Sequence, residues 1–338
     1  MALSISGGIG LLSRTPTALF PIALGLAGLG SAIRIAAASV AIDLLRMVGD
    51  IVLMGAALVL VLDIFLYLLK VLRSRRAVLD DFAIATRANL LAPGFMAAML
   101  IGSVWHESSS FGGPIWLAAS LGHLVLLLGF VGRWLTHDFG PEDLNPTWFL
   151  PAAGIMTSPL TWPGYGPIEL PLFLLGAGGM LWIMLQPLVF RRIVFEPAIA
   201  PQLRPTLFIT AAPFALMAGT LMTLFPAIPV EAPIALLSGG LFFILVLLFQ
   251  LRFLTSAGIS LSWWATTFPV ATIAAGFLRL SEANVAYSLV IGAALLGLAC
   301  ITTSIAFIAT IRAAWCTCAK TIAGTQQQIA AMQGNPAQ

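Results

Sequence analysis

Apolar segments of about 20 residues recur along the whole chain of 338 residues. A helix of that length crosses the ~30 Å hydrocarbon core of a bilayer and pairs its backbone polar groups within itself. Hydrophobic residues make up 60% of the sequence and charged residues 9%, against roughly 45–50% and 25% in soluble domains. The chain is therefore an integral membrane protein, and the loops are too short to hold a soluble domain.

The apolar pattern predicts an all-α membrane protein with ten transmembrane helices. We expect one transmembrane domain over 1–338, with its helices between about 16 and 313 and a short cytoplasmic tail over 314–338. The first span follows Arg14 without a clear small-residue cleavage site, so we expect a retained helix and not a signal peptide. The predicted spans are 16–36, 48–71, 88–105, 112–135, 147–163, 170–190, 205–226, 232–253, 260–279 and 284–313.

Lysine and arginine predict the orientation, because cytoplasmic loops carry the excess of positive charge. One side of the predicted topology holds three of these residues, Arg34, Arg46 and Arg279. The opposite side, with both termini, holds the other thirteen and is predicted to face the cytoplasm of a cell membrane. The net charge of +3 reflects this bias and does not indicate nucleic-acid binding. The thirteen are Arg14, Lys70, Arg73, Arg75, Arg76, Arg87, Arg133, Arg191, Arg192, Arg204, Arg252, Arg312 and Lys320.

One proline recurs in each odd-numbered span and is followed by small residues in all five. The stretches are "FPIALGLAG", "APGFMAAMLIG", "LPAAGIMTS", "APFALMAGT" and "FPVATIAAG". Spans 2, 8 and 10 have no mid-span proline, so the repeat unit is one hairpin of two helices. The sequence thus predicts five hairpins, aligned on Pro21, Pro93, Pro151, Pro213 and Pro269.

An interior proline removes a backbone hydrogen bond and clashes with the carbonyl four residues earlier. Kinked membrane helices are tolerated where neighbours or a water-filled cavity satisfy the freed carbonyl. Five kinked helices related by approximate rotation would surround an axis, with the even-numbered helices outside, facing lipid and partner subunits. The alternative is that prolines are simply commoner in membrane helices.

The centres of the odd spans contain no Asp, Glu, Lys, Arg or His. Pumps and proton-coupled carriers usually place ionisable groups near the midplane, whereas an uncharged lining permits passage without tight binding. Arg87 and Arg204 precede spans 3 and 7, while Arg34 and Arg279 follow spans 1 and 9, so these basic residues are candidates for anion-attracting pore mouths. They are alternatively interfacial anchors, with the outer charge diluted by Glu107, Glu169, Glu231 and Glu282.

Phe268 lies directly before Pro269 and is the candidate to project across a narrow axis as a gate. Phe20 holds the equivalent place before Pro21 and is a second candidate. From spacing alone, a packing role is the alternative for both. Pro269 frees the carbonyl of Ala265, which hydroxyls nearby would satisfy unless they line the path, namely those of Ser262, Thr266 and Thr267.

Asp63, within span 2, is the candidate titratable site, because a carboxylate in a membrane helix is costly and usually functional. We favour a satisfied or interfacial group, and the alternative is a proton-coupled carrier of C4-dicarboxylates or oxyanions such as tellurite. His106 and Glu107 are adjacent, about 100° apart on a helix, and indicate a solvated rim in place of a metal site. His123 and His137 are expected to serve packing and the interface.

Cysteine and catalytic motifs add no further function. Cys300, Cys316 and Cys318 form neither a disulfide framework nor zinc spacing, and are best interpreted as apolar filler. The sequence has no nucleophile elbow, phosphate loop, HExxH or paired catalytic carboxylates, which argues against an enzyme.

Four stretches resemble the TehA family, which includes the plant guard-cell slow anion channels: "FPIALGLAG", "NPTWFLPAA", "LLGAGGMLWIMLQP" and "WWATTFP". The resemblance covers essentially all ten spans. It implies five hairpins with quasi-fivefold symmetry, a pore in each subunit of a homotrimer, and a pore-occluding phenylalanine in the ninth helix, matched by Phe268. It also implies passage of chloride and nitrate, with relatives that carry C4-dicarboxylates or are associated with tellurite resistance, and no cofactor. Only about fifteen residues precede span 1, so we do not expect the kinase regulation of plant members.

Overall fold

The computed structural model describes residues 17–333, with side chains through Trp315 apart from Ala18. The regular secondary structure of this part of the chain is all helical, and it contains no strands. Arg14 lies outside the described residues, and so do the side chains of Cys316, Cys318 and Lys320. The fold is therefore that of an integral membrane helical protein.

Nine helices of the described part are long and apolar enough to cross a membrane. We number them by the predicted spans they match. A short helix, Arg75–Ala83, lies between spans 2 and 3, and the last helix continues to Gln333. The spans are 1 (Phe20–Val40), 2 (Asp43–Arg73), 3 (Ala85–His106), 4 (Gly112–Thr136), 6 (Glu169–Phe195), 7 (Pro201–Leu224), 8 (Glu231–Phe249), 9 (Leu261–Glu282) and 10 (Ser288–Trp315).

The fifth predicted span differs from expectation, because residues 146–160 form four short pieces and not one helix. They are two 3-10 turns, Pro146–Trp148 and Gly154–Met156, and two single α-turns, Phe149–Ala152 and Thr157–Leu160. Proline and glycine interrupt the backbone repeatedly here. Residues 146–159 are all buried, which fits the rule that non-helical backbone at membrane depth must be enclosed by protein. We call 146–160 segment 5.

Most of the aligned prolines do not kink the middle of a helix as predicted. Pro21, Pro93 and Pro213 lie at the first or second position of an α-helix, where the missing N–H has no helical partner to lose. Pro151 lies in a four-residue turn of segment 5. Only Pro269, among these five, lies inside a continuous α-helix, Trp264–Glu282. A 3-10 stretch precedes several of the aligned prolines. The 3-10 turn Thr17–Leu19 runs directly into span 1, the 3-10 turn Leu261–Trp263 opens span 9, and an 11-residue 3-10 helix, Pro201–Ala211, opens span 7.

The odd-numbered elements form the interior of the protein. In the 18-residue apolar stretch of each of spans 1, 3, 7 and 9, the buried share is between 61% and 78%. In the even-numbered spans it is between 22% and 39%. Span 1 contacts span 3, span 3 contacts segment 5, segment 5 contacts span 7, span 7 contacts span 9, and span 9 returns to span 1. Each even-numbered span packs on the odd-numbered element before it. The result is a closed inner ring of five elements with the even-numbered helices outside it.

Polar side chains of span 4 hold segment 5 in place. The indole Nε1 of Trp116 donates to the carbonyl of Ser158 over 3.2 Å, and the hydroxyls of Ser120 and Ser158 lie 2.7 Å apart. The Nε2 atom of His123 lies 3.1 Å from the carbonyl oxygen of Pro151. Because a carbonyl only accepts, Nε2 carries the hydrogen. His123, expected only to pack, thus anchors the broken backbone.

We predict that replacing His123 with leucine destabilises the fold by about 1–3 kcal/mol, because the buried carbonyl of Pro151 loses its donor. Thermal unfolding of the purified protein in detergent measures the loss. His137→Gln is the control, since His137 is exposed and bonds only the neighbouring Thr136 among the described contacts. Equal unfolding temperatures for parent and His123→Leu would contradict this role.

Candidate pore

Two cavities lie within the inner ring, on opposite sides of its middle. The wide cavity, of about 670 Å³, is lined by the ends of the inner elements that follow the aligned prolines, with side chains such as Ser31, Ser103 and Arg279. The narrow cavity, of about 220 Å³, is lined by the ends that contain those prolines, with side chains such as Thr86 and Ser262. The two cavities share one lining residue among those described.

Phe268 belongs to the linings of both cavities. Among the described residues that line them, it alone does so, and it is 4% exposed. The ring rests on Gly28 of span 1, where an added Cβ would come within 2.9 Å of Cδ2. Glycine is thus required for this close approach. Phe268 is therefore the described residue that the two cavities have in common.

Hydrogen bonds around Pro269 fix the backbone that carries the ring. Thr272 donates from its hydroxyl to the carbonyl of Phe268 over 2.7 Å. The hydroxyls of Thr266 and Thr267 donate to the carbonyls of Trp263 and Trp264 and not to that of Ala265. Ser262 pairs with Ser260 and, together with Ala265, lines the narrow cavity.

The narrow cavity has an uncharged lining. Among the described residues that line it, none is charged, and its polar groups are chiefly hydroxyls from four inner elements. Four of the aligned prolines belong to it, while Pro151 does not, although its neighbour Leu150 does. The four hydroxyl residues are Thr86, Thr147, Thr206 and Ser262.

Phe20 lies outside the linings of both cavities. Its ring packs against Gly94 and meets the ring of Tyr67 edge-on, with the centroids 5.9 Å apart. The second gate candidate from the sequence is thus a packing residue at the contact between spans 1, 2 and 3. Equivalent positions in the repeat do not have equivalent environments.

The wide cavity is charge-balanced, as in the alternative in which carboxylates dilute the basic charge. Arg34 pairs with Asp50 and, over 2.5 Å, with Glu107, and its side chain is 14% exposed. Arg46 lies 3.6 Å from the same Glu107. Carboxylates thus offset both arginines at the rim. The charged residues that line this cavity are Arg34, Arg46, Arg279, Asp43, Glu107 and Glu282.

Arg279 is bound differently, because its Nη1 donates over 3.0 Å to the hydroxyl oxygen of Thr223. No carboxylate of the described residues forms an ion pair with it. Arg279 is half-buried, and Glu282, one turn further along the helix, is exposed. Arg279 therefore keeps its charge within the cavity.

The two predicted basic residues at the other end do not line a cavity. Arg204 donates to the carbonyls of Ile199 and Phe253 and lies over the ring of Phe253, 3.9 Å from its centroid. Arg87 is exposed. Their neighbours Thr86 and Leu203 reach the narrow cavity in their place. Arg204 is consequently a structural residue of the 3-10 helix that opens span 7.

Asp63 lies outside the linings of both cavities. It is 5% exposed, and its Oδ2 has no hydrogen-bond partner among the described residues. Lys70 on the same helix pairs instead with Asp81, over 2.6 Å. This buried pair ties span 2 to the helix Arg75–Ala83.

His106 packs edge-on against Tyr165, with ring centroids 5.8 Å apart, while Glu107 belongs to the ion pairs of the rim. Within the described residues no three His, Cys, Asp or Glu side chains come together as metal ligands would.

The family model for the voltage-dependent anion channel matches residues 14–311, which include every element of the inner ring. The chain belongs to the voltage-dependent anion channel family. This is the family that the sequence resemblance indicated. Its members are anion channels and transporters, in contrast to enzymes. No curated protein matches the chain.

We predict that the two cavities are reached from opposite faces of the membrane. With the native cysteines replaced, Ser103→Cys and Ser262→Cys should each react with a small membrane-impermeant thiol reagent from one face only, and from different faces. The physical reason is that the two cavities have only Phe268 in common among the described lining residues. Labelling of oriented vesicles measures the reaction, and the cysteine-free protein is the control. Reaction of both positions from the same face would contradict the arrangement.

Proposed function

We propose that this protein is a channel for small monovalent anions such as chloride and nitrate, with Phe268 as its gate. The observation that carries the proposal is that Phe268 alone lines both cavities among the described residues. Movement of one side chain would join the two cavities into a continuous path. Side-chain rotation is a small and fast change compared with the movement of a whole helix.

The chemistry of the path supports a channel over a tight binder. The lining of the narrow cavity offers hydroxyls and apolar groups without charge. Conduction requires sites that are favourable enough to enter and weak enough to leave. The anion specificity of the family supplies the sign of the ion. Its identity as chloride or nitrate belongs to the proposal.

The proposed architecture is five helical hairpins with quasi-fivefold symmetry, in which segment 5 acts as the inner element of the third hairpin. The closed order of contacts around the inner ring supports it. We propose one transmembrane domain over 1–338 with the tail at 314–338, a homotrimer with a pore in each subunit, and a location in the cell membrane with both termini in the cytoplasm. The lysine and arginine distribution supports that orientation.

A proton-coupled carrier of C4-dicarboxylates or oxyanions is the second candidate, and the buried Asp63 favours it. An unpaired carboxylate within a membrane helix is usually functional. Against it, Asp63 lies outside the linings of both cavities, so an anion on the proposed path would not meet it. A channel is thus the better explanation of the cavities.

Replacing Phe268 with alanine should raise chloride and nitrate conductance at least about tenfold, which corresponds to a barrier lowered by about 1.4 kcal/mol. The reason is that the variant removes the side chain that the two cavities have in common. Recording from the purified protein in planar bilayers measures it. Phe20→Ala is the matched control, because Phe20 is similarly buried and lines neither cavity.

Normal insertion of Phe268→Ala without increased current would refute the gate. Saturable flux in the parent that requires a proton gradient would favour the carrier.

Gly28→Ala tests the contact between span 1 and the ring of Phe268. The added methyl would press on Phe268 and disfavour the closed position by about 1–3 kcal/mol, the usual cost of overpacking. We expect a several-fold rise in basal current. Gly55→Ala is the control, because nothing lies within 4 Å of a Cβ there. In the Phe268→Ala background the Gly28 substitution should have no further effect; an equal rise in that background would show that the methyl acts elsewhere.

A further inference from the structure

The wide cavity contains a layer of polar side chains in the same register of the repeat. Ten residues beyond each aligned proline stands a side chain that can donate a hydrogen bond, and all five line this cavity, one from each inner element. Four are hydroxyls and the fifth is a guanidinium. The residues are Ser31, Ser103, Thr161, Thr223 and Arg279.

Two of the hydroxyls are committed to the protein. Thr161 donates to the carbonyl of Thr157 over 2.7 Å, and Thr223 donates to that of Leu160 over 3.1 Å. The oxygen of Thr223 also accepts from Arg279. A hydroxyl has one hydrogen, so neither threonine can donate to a ligand in this arrangement. Thr223 instead orients the guanidinium.

Ser31 has an unused donor. Its Oγ is buried and has no hydrogen-bond partner among the described residues, although the side chain lines the cavity. A buried polar atom without a partner is costly in a native protein and calls for an explanation. A ligand in the cavity would provide one.

Arg279 brings the positive charge to this layer. A guanidinium has five N–H donors, and the described residues supply one acceptor, Thr223. Arg34, the other half-buried arginine of the cavity, is held by Asp50 and Glu107. Arg279 is therefore the cation of this cavity best placed to meet an anion.

We propose that this layer is a binding site for one small monovalent anion, such as chloride, bromide or nitrate, at the wide entrance of the path. Arg279 supplies the charge, Ser31 and Ser103 supply hydroxyl donors, and Thr223 positions Arg279. Arg279 has no ion-pair partner among the described residues, and a single positive charge with Glu282 nearby suits a monovalent anion better than a dicarboxylate. Arg279 lies eleven residues beyond Phe268 on one helix, about 16 Å at 1.5 Å per residue, so the site holds the ion before it reaches the gate. The inference rests on the proposed channel function.

The first test measures single-channel conductance against chloride concentration in the Phe268→Ala background. Arg279→Thr gives the layer a fifth hydroxyl in place of the guanidinium and so removes the charge. It should raise the half-saturating concentration about tenfold or more, the factor of one charge-assisted hydrogen bond. Arg279→Lys should retain part of the affinity. Arg46→Gln is the matched control, because Arg46 lines the same cavity at its exposed rim, and should change the value less than twofold.

The second test does not require conduction. Sodium nitrate, compared with sodium gluconate at equal ionic strength, should raise the unfolding temperature of the detergent-solubilised parent, because a ligand that binds the native state stabilises it. Ser31→Ala should weaken the nitrate dependence several-fold, and Arg279→Thr should abolish it.

The outcomes separate the two proposals. Absence of current in Phe268→Ala, with nitrate stabilisation lost in Arg279→Thr, refutes the channel and keeps the anion site. Unchanged half-saturation and unchanged nitrate stabilisation in Arg279→Thr overturn the site. An equal loss in Arg46→Gln also overturns it, since general cavity charge would then explain the effect.

Discussion

Backbone hydrogen bonding in hydrocarbon is the constraint on which this structure depends. A spanning segment exposed to lipid must be a regular helix, because no water pairs with a free carbonyl or N–H. The even-numbered spans meet this demand as long helices with mostly exposed apolar faces. Within the described spans, irregular backbone occurs in the inner ring, in the buried segment 5 and in the 3-10 stretches that open spans 7 and 9. The outer helices thus permit the inner elements, which line the two cavities, to deviate from a regular helix.

The close approach of spans 1 and 9 positions the residue that both cavities share. Gly25 and Gly28 allow span 1 to lie against Thr267 and Phe268, where any Cβ would intrude. Small residues at such contacts are a general means of bringing membrane helices together. The ring of Phe268 thereby lies in the linings of both cavities. Phe20 precedes Pro21 in the same way but meets Gly94 and Tyr67, because its helix lies differently against its neighbours.

Apolar length and proline spacing predicted the helical class, most span boundaries and the inner position of the odd-numbered elements. They did not predict the break-up of segment 5, because a 17-residue apolar run containing prolines resembles a helix until its neighbours are known. The sequence left open whether the flanking arginines form a basic mouth or have their charge offset by carboxylates, and the contacts of Arg34 favour the second interpretation. The sequence counts Arg34 as a positive charge, whereas Asp50 and Glu107, which neutralise it, come from two other elements. The register ten residues after each proline was visible in the sequence, but only the shared cavity gave it significance.

The inner elements carry similar residues at some positions of the repeat and different residues at others, and the two kinds of position have different roles along the proposed path. Four inner elements place a hydroxyl in the layer of the wide cavity, and such groups replace part of an ion's hydration without fixing its sign. The ninth span departs from the repeat twice, with Phe268 in the linings of both cavities and Arg279 in the layer. Both departures stand on one helix, which contains the only aligned proline of the five that lies inside a continuous helix. That proline lies between them and removes a backbone hydrogen bond, so a motion of span 9 about Pro269 would move the proposed gate and the proposed anion site relative to each other.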